Sequence, residues 1–280
     1  MRNIETVHIV KASDSDAAIR FLAAVDQAIL SEASDHTQRV AFDCEGVNLS
    51  RVGSVEIISI CFKPNEVFLV DAKVMDATIL KAVKELFESD KVVKIIHDCR
   101  MDSDALFHSH GIKLVNVHDT SCFHAKITGR HDSNLNNVLA FNGITENTNR
   151  DGSVYKRNPA FWATRPLTQQ MIDWASSDVD RLLDVATKQL ACISEDKKES
   201  AEVQSKEFIA KARDMKVKTG LSVNNVGRFI GKRGANLRSL QNRTGTLIYG
   251  SGDDGWFVYY PNDSALRTVE CSMREGHDYY

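Results

Sequence analysis

Apolar positions recur along the first half of the chain with two alternating periods. Val7 to Val10 reads as a short strand, and Ala17 to Leu30 sets Ile19, Leu22, Val25 and Ile29 at helical spacing. Three strand-like runs follow: Arg39 to Glu45, Val55 to Phe62 and Val67 to Asp71. The turn formers Gly46, Gly53, Pro64 and Asn65 separate them. Ala77 to Phe87 is amphipathic through Ile79, Leu80, Val83 and Leu86. Val92 to Ile96 is a further strand, and a helix runs on through Leu106. Strands alternating with helices predict a layered α/β domain with a partly parallel sheet. From Thr120 to Leu190 the pattern is mostly helical, with Thr168 as the expected N-cap of a helix carrying Met171, Ile172, Val179, Leu182, Leu183, Val185 and Ala186. Ser194 to Ser205 is charged and lacks aromatics, so it reads as a solvated helix or linker.

A smaller α/β pattern begins after Met215. Val217 to Val223 is strand-like, Gly227 to Gly234 is a glycine-rich turn in a helical region, and Ala235 to Arg243 is a helix. Thr246 to Tyr249 and Trp256 to Tyr260 are strands joined by a turn at 252–255, and Asn262 to Met273 closes with a helix. The expected division is 1–195, a charged helical linker at 196–213, and 214–280.

The 280 residues are 42% apolar and 26% charged, a globular mix that excludes wholesale disorder. No window approaches 18 consecutive apolar residues, so no membrane partner is expected. Met1 to His8 lacks an apolar core, so a secretory signal is not expected, and a cytoplasmic or nuclear location is. The six cysteines are scattered without a C-x-x-C pair, which reads as reduced thiols rather than a zinc site. The net charge of −3, taken whole, argues against a nucleic-acid partner. Its distribution argues the other way. Between Lys206 and Arg243 stand ten basic residues against only Glu207 and Asp214, so the rest of the chain is distinctly acidic.

Acids recur at places where a buried strand or helix should carry none. Asp43 and Glu45 close an apolar strand and share one face, two residues apart. Alone, such a pair fits a surface turn with two solvated acids. Beside the apolar Val40, Ala41 and Phe42 it asks for a neutralising cation, and carboxylate oxygens suit Mg²⁺ or Mn²⁺. Asp102 lies one turn into the helix after Val92 to Ile96, where it can face the carboxyl edge of the sheet; Asp104 reads as a solvated helix acid. Asp178 lies four residues after Trp174, on the same helix face. His97, at a strand end, reads as structural.

These segments resemble, in order and separation, the DEDD 3′–5′ exonucleases of the ribonuclease D-like kind. Phe42 to Gly46 is similar to their first motif and Ile96 to Asp102 to their second. Val117 to Thr120 resembles the Asp-Thr pair that follows, and Ala175 to Val179 resembles the third motif. With Asn158 to Thr168, the chain most resembles the Egalitarian-like group, in particular plant-type members that carry a KH domain. The resemblance spans most of residues 38 to 190. It implies a ribonuclease-H-like domain, a mixed sheet flanked by helices, in which Asp43, Glu45, Asp102 and Asp178 are catalytic and hold two Mg²⁺ or Mn²⁺ ions. The family normally has Tyr four residues before its last Asp, and a sister class has His five before. Here Trp174 and Asp173 stand there, and an indole cannot act as a base. Trp174 reads as a core aromatic and Asp173 as a solvated helix acid.

Gly231-Lys232-Arg233-Gly234 sits between two short helical segments. The glycines permit close approach and positive φ, the following helix N-terminus favours an anion, and Lys232 and Arg233 add charge at the tip. Val226 to Leu237 resembles the core of a KH domain, and the element order from 214 to 275 matches the eukaryotic type. The resemblance implies a small α+β type I KH domain that holds about four single-stranded nucleotides. Its RNA-contacting residues would be Gly231, Lys232, Arg233 and Gly234, with Arg228 and Arg238 beside them. Trp256, Tyr259 and Tyr260 are candidate stacking residues, at least one of them core. The expected function is metal-dependent 3′–5′ hydrolysis of single-stranded RNA, with DNA possible. The alternative is an RNA-binding adaptor that keeps the exonuclease fold as a platform, which the Trp174 substitution favours.

Overall fold

The computed structural model describes residues 4, 6–31, 38–131, 134–251 and 255–275. It divides into two units, Met1–Arg213 and Asp214–Tyr280. In the first, six strands form one mixed sheet: β1 (Thr6–Val10), β2 (Gln38–Val47), β3 (Ser54–Lys63), β4 (Glu66–Asp71), β5 (Val92–Ile96) and β6 (Val117–Asp119). Their spatial order is β1-β4-β3-β2-β5-β6. β1 runs parallel to β4, and β2, β5 and β6 run parallel to one another, while β3 is antiparallel to both neighbours.

The alternation of β2 decides which side chains meet which helices. Val40, Phe42 and Cys44 join one apolar layer with Phe21 and Val25 of α1 (Asp16–Leu30), Leu86 of α2 (Ala77–Glu88) and Leu106 of α3 (Arg100–His110). Ala41 belongs to the opposite layer, with Met171, Trp174 and Val179 of α7 (Gln169–Asp180) and Val185 of α8 (Leu182–Cys192). Asp43 and Glu45 fall in step with Ala41, so they point to the α7 side. A register shift follows Glu45, and at Gly46 a Cβ would stand 1.9 Å from the Ser54 carbonyl oxygen, so only glycine fits the bulge.

Three short helices connect the layers: α4 (Thr120–Thr128), α5 (Leu135–Phe141) and α6 (Val154–Arg157). Thr168 caps α7 as expected, its hydroxyl accepting from the Met171 amide. The single expected helix through Ala186 breaks at Arg181, whose guanidinium donates to the Ser177 carbonyl. The three-residue β6 was too short to show a period in the sequence.

The segment expected as a linker is helix α9 (Glu195–Lys211), and it packs within the first unit. Ala201, Ser205 and Ile209 are buried, and the Ile209 carbonyl accepts from Ser103 Oγ of α3. A narrow seam of small and apolar residues is enough to dock a helix whose other faces are charged. No helix among the described residues is long and apolar enough to cross a membrane.

The second unit contains β7 (Lys216–Leu221), α10 (Val226–Ile230), a 3-10 turn at Lys232–Gly234, α11 (Ala235–Thr244), β8 (Leu247–Ser251), β9 (Gly255–Tyr260) and α12 (Asp263–Glu275). Its antiparallel sheet has the order β7-β9-β8. Phe229, Leu240, Ile248, Val258, Val269 and Met273 form its core. Of the turn expected between β8 and β9, 252–254 lie outside the described residues.

Candidate active site

β2 and α7 bring three carboxylates together. Asp43 and Glu45 leave the same strand face, and Asp178 comes down from α7, so that one ligand atom from each lies within 4.8 Å of the others. Asp178 and Glu45 are buried and Asp43 is partly so. Burial raises the pKa of all three acids, and for Asp43 and Glu45 the neighbouring carboxylates raise it further. Asp178 Oδ1 accepts from Asn147 Nδ2 at 2.9 Å, while its Oδ2 is buried with no hydrogen-bond partner. An all-oxygen set with an orphaned buried oxygen fits a hard divalent cation, since such an oxygen is costly unless something positive meets it.

Asp102 reaches β2 from α3. That strand runs on past β5, with which its pairing ends at Ala41↔Ile95. The freed Cys44 amide donates to Asp102 Oδ1 at 3.0 Å. Burial nevertheless lifts the Asp102 carboxyl to about 7. Asp102 raises the Asp43 pKa by charge repulsion, so the two sense each other, although Asp102 lies outside the 4.8 Å group. The turn that delivers α3 is held by Asp119, whose carboxylate accepts from the Asp98 and Cys99 amides at 3.0 and 2.8 Å and caps α4 through Ser121. Asp98 itself has φ 62. The Asp-Thr pair is thus a brace for the β5–α3 turn, and its Thr120 hydroxyl pairs with His97 Nδ1 at 2.9 Å.

Asp104 is no solvated acid. It is fully buried and takes a two-pronged grip from Arg51, whose Nε and Nη2 donate to Oδ1 at 2.8 and 2.6 Å. The Arg51 amide completes the contact at 2.7 Å to Oδ2. Asp104 therefore anchors the β2–β3 loop to α3. Asp173 accepts from Gln169 Nε2 on the surface of α7, as a helix acid should.

Trp174 is a core aromatic, stacked edge-on against Trp162 and Tyr155. Its indole N–H is buried without a hydrogen-bond partner, and it favours the charged form of Asp178 without reaching hydrogen-bond geometry. Besides Asn147, two residues near the acids were invisible to sequence reasoning. Arg150, in the loop between α5 and α6, has Nε 3.6 Å from Asp178 Oδ2 and lowers the pKa of Asp43, Glu45 and Asp178. Tyr155 accepts from the Trp162 indole N–H at 3.0 Å, and burial and the Glu45 charge push its phenol up to about 12. Both stand in a segment without periodicity, and only proximity to the acids distinguishes them.

In the second unit Gly231 and Gly234 adopt φ 72 and 78, and Arg233 between them has φ 53. A Cβ on Gly231 would stand 2.6 Å from the Asn236 side chain, which donates to the Arg228 carbonyl. Arg238 donates to the Arg233 carbonyl at 2.7 Å. The loop is held from beneath, and α11 begins with no side-chain cap on its amides. Tyr259 is fully buried, and Trp256 and Tyr260 are partly buried and pack on the core.

Several known proteins resemble this chain in sequence or in fold. Ribonuclease D of Nitrobacter hamburgensis is 30% identical over 122 residues, covering 44% of this chain and 30% of that protein. The piRNA biogenesis protein EXD1 of Bombyx mori is 30% identical over 103 residues, covering 36% and 32%. The chain thus matches about a third of the length of these curated relatives. Among solved structures, Trypanosoma brucei RNase D in complex with RNA U12 superimposes with a TM-score of 0.58 at 20% identity, covering 75% of this chain and 72% of that one. Escherichia coli RNase D gives 0.57 at 15%, covering 86% and 55%. At such identities the likeness is one of fold. Residues 15–191 match the family described as 3′–5′ exonuclease. That match runs from α1 through α8 and takes in five of the six strands, β2 to β6, and the chain belongs to the 3′–5′ exonuclease family.

Proposed function

We propose that the chain is a metal-dependent 3′–5′ exonuclease that shortens single-stranded RNA, with the second unit acting as a type I KH domain that holds the substrate. The observation that carries this reading is the meeting of Asp43, Glu45 and Asp178 within 4.8 Å, with Asp102 near enough for its charge to act on Asp43. Two Mg²⁺ or Mn²⁺ ions bound there would supply an activated water and charge stabilisation for the leaving 3′-oxygen. The chain's own contribution is to hold the carboxylates ready. Asn147 fixes one oxygen of Asp178 and leaves the other open. The Cys44 amide orients Asp102, and Asp119 fixes the turn on which Asp102 stands. RNA as substrate is supported by the RNA complex of the T. brucei relative and by the basic run of the second unit. DNA remains an arm of the test, because nothing in the carboxylate set chooses the sugar.

For the second unit, support comes from the β-α-α-β-β-α order and the Gly231–Gly234 loop with its two positive-φ glycines. Lys232 and Arg233 are the residues that would meet phosphate, with Arg228 and Arg238 flanking. Replacing Lys232 and Arg233 together by Asp should weaken single-stranded RNA binding about tenfold or more and leave the unfolding midpoint unchanged. Unchanged affinity removes the loop from the reading.

A second reading, a non-hydrolytic RNA-binding platform, is favoured by Trp174, which cannot act as a base, and by Arg150 beside the acids. The decisive experiment follows 5′-labelled single-stranded RNA and DNA with Mn²⁺ or Mg²⁺. The enzyme gives a ladder shortening from the 3′ end that Asp43→Ala abolishes, a loss of at least about 10³-fold. No ladder with either nucleic acid selects the platform.

A further inference from the structure

Arg150 is a cation placed among carboxylates that, on the reading above, have another cation to receive. Two other arginines show what a permanent partner looks like in this fold. Arg51 grips Asp104 with two nitrogens at 2.6 and 2.8 Å, and Arg165 grips Asp71 with two at 2.7 and 2.8 Å. Both also donate to backbone carbonyls, and both side chains are mostly buried. Arg150 differs on every count. Its Nε stays 3.6 Å from Asp178 Oδ2, beyond hydrogen-bond reach, and its side chain is 38% exposed. The Oδ2 atom it faces has no hydrogen-bond partner.

The loop on either side is nevertheless fixed. Asn147 donates to Asp178 Oδ1 and to the Trp174 carbonyl, and Asn149 donates to Ser177 Oγ at 3.2 Å. On the other side Asp151 accepts from the Ser153 amide. The backbone of Arg150 is therefore aimed at the cluster, while its side chain is long, flexible and loosely held. Such a group neutralises the acids without satisfying them.

We propose that Arg150 is a displaceable internal counter-ion: it occupies the charge of the Asp43–Glu45–Asp178 cluster in the metal-free protein and competes with divalent cations for it. The proposal rests on the reading of this cluster as a metal site. A cation entering the cluster must meet Asp178 Oδ2, the oxygen that Arg150 faces, and the guanidinium turns outward into solvent when it does. The metal affinity of the protein is then set partly by Arg150, and a neutral residue there gives a tighter site.

The test is Mn²⁺ binding to the full chain, measured by calorimetry and by the free Mn²⁺ EPR signal, at pH 7.5 without nucleic acid. Arg150→Ala should bind Mn²⁺ roughly 10- to 100-fold more tightly than the wild type, the scale of removing one unit charge a few ångströms away. Arg150→Gln, which keeps most of the side-chain volume, should do the same, and it serves if the alanine variant folds poorly. Arg150→Lys, which keeps the charge, should stay within about threefold of the wild type. Arg157→Ala, at an exposed pair with Asp151, should change nothing. Equal or weaker binding in both neutral variants overturns the proposal alone, and so does equal tightening by Arg157→Ala. Binding gained by the neutral variants where the wild type shows none supports it. No Mn²⁺ binding by any of these proteins overturns the proposal together with the metal reading on which it stands.

Discussion

Asp104 and Asp71 are as deeply buried as Asp178, yet the fold treats them in opposite ways. Around Asp104 and Asp71 every approach is filled: Arg51 and Arg165 bind them two-pronged and continue to carbonyls of other segments. Around Asp43, Glu45, Asp102 and Asp178 the acids face one another. One oxygen is orphaned, the carboxyl protons are held more tightly than usual, and Arg150, the arginine that faces that oxygen, is loose. The first arrangement spends its charges on holding segments together. The second leaves its charge only loosely compensated, a cost to stability that makes sense where a ligand will offset it.

The comparison breaks most sharply if the two sets are mutated in parallel. Asp104→Ala leaves the Arg51 guanidinium with its partner gone, and it should lower the unfolding free energy by about 3–5 kcal/mol in urea melts. A loss under about 1 kcal/mol would mean that the Arg51–Asp104 anchor holds nothing. Asp102→Asn should do the reverse in the metal-free protein. Its carboxyl is raised to about 7, so the folded chain keeps a proton that the unfolded chain releases near pH 4. The unfolded state then binds fewer protons between about pH 4 and 7, and the penalty of Asp102 grows across that window. With EDTA present, the variant should be more stable than the wild type by about 2–4 kcal/mol at pH 8, with the difference vanishing near pH 4. A flat difference across that range would remove burial of the charge as the cause.

The smallest expected effect is at Trp174. As a packing residue it should tolerate Trp174→Phe with turnover within about threefold and a stability loss of about 1 kcal/mol. A fall of 100-fold in kcat with KM unchanged would instead assign the indole N–H a part in the reaction, on the scale of general acid–base help.

Much of the first unit was legible because its strands and helices are long enough to show their periods. β2, β3 and β5 came within about two residues of their ends, and Thr168 was readable as a cap. What escaped is a strand with too few residues and the docking of a helix, itself expected, through too thin an apolar seam. β6 has three residues, and α9 docks through Ala201, Ser205 and Ile209 while presenting charge elsewhere.

Of the site, the strand period alone put Asp43 and Glu45 on one face, and the order of the acidic motifs pointed to exonuclease chemistry. A period is a local property, so it survives in the sequence. What the sequence could not express was which acids meet and which are consumed. Asp102 and Asp104 are two residues apart on one helix, yet one reaches the Cys44 amide and the other the Arg51 guanidinium. Nor could it place Arg150 beside Asp178, from a loop between helices that carries no period at all. Those assignments depend on where β2, α3 and α7 cross, a contact between distant segments that only the folded packing fixes.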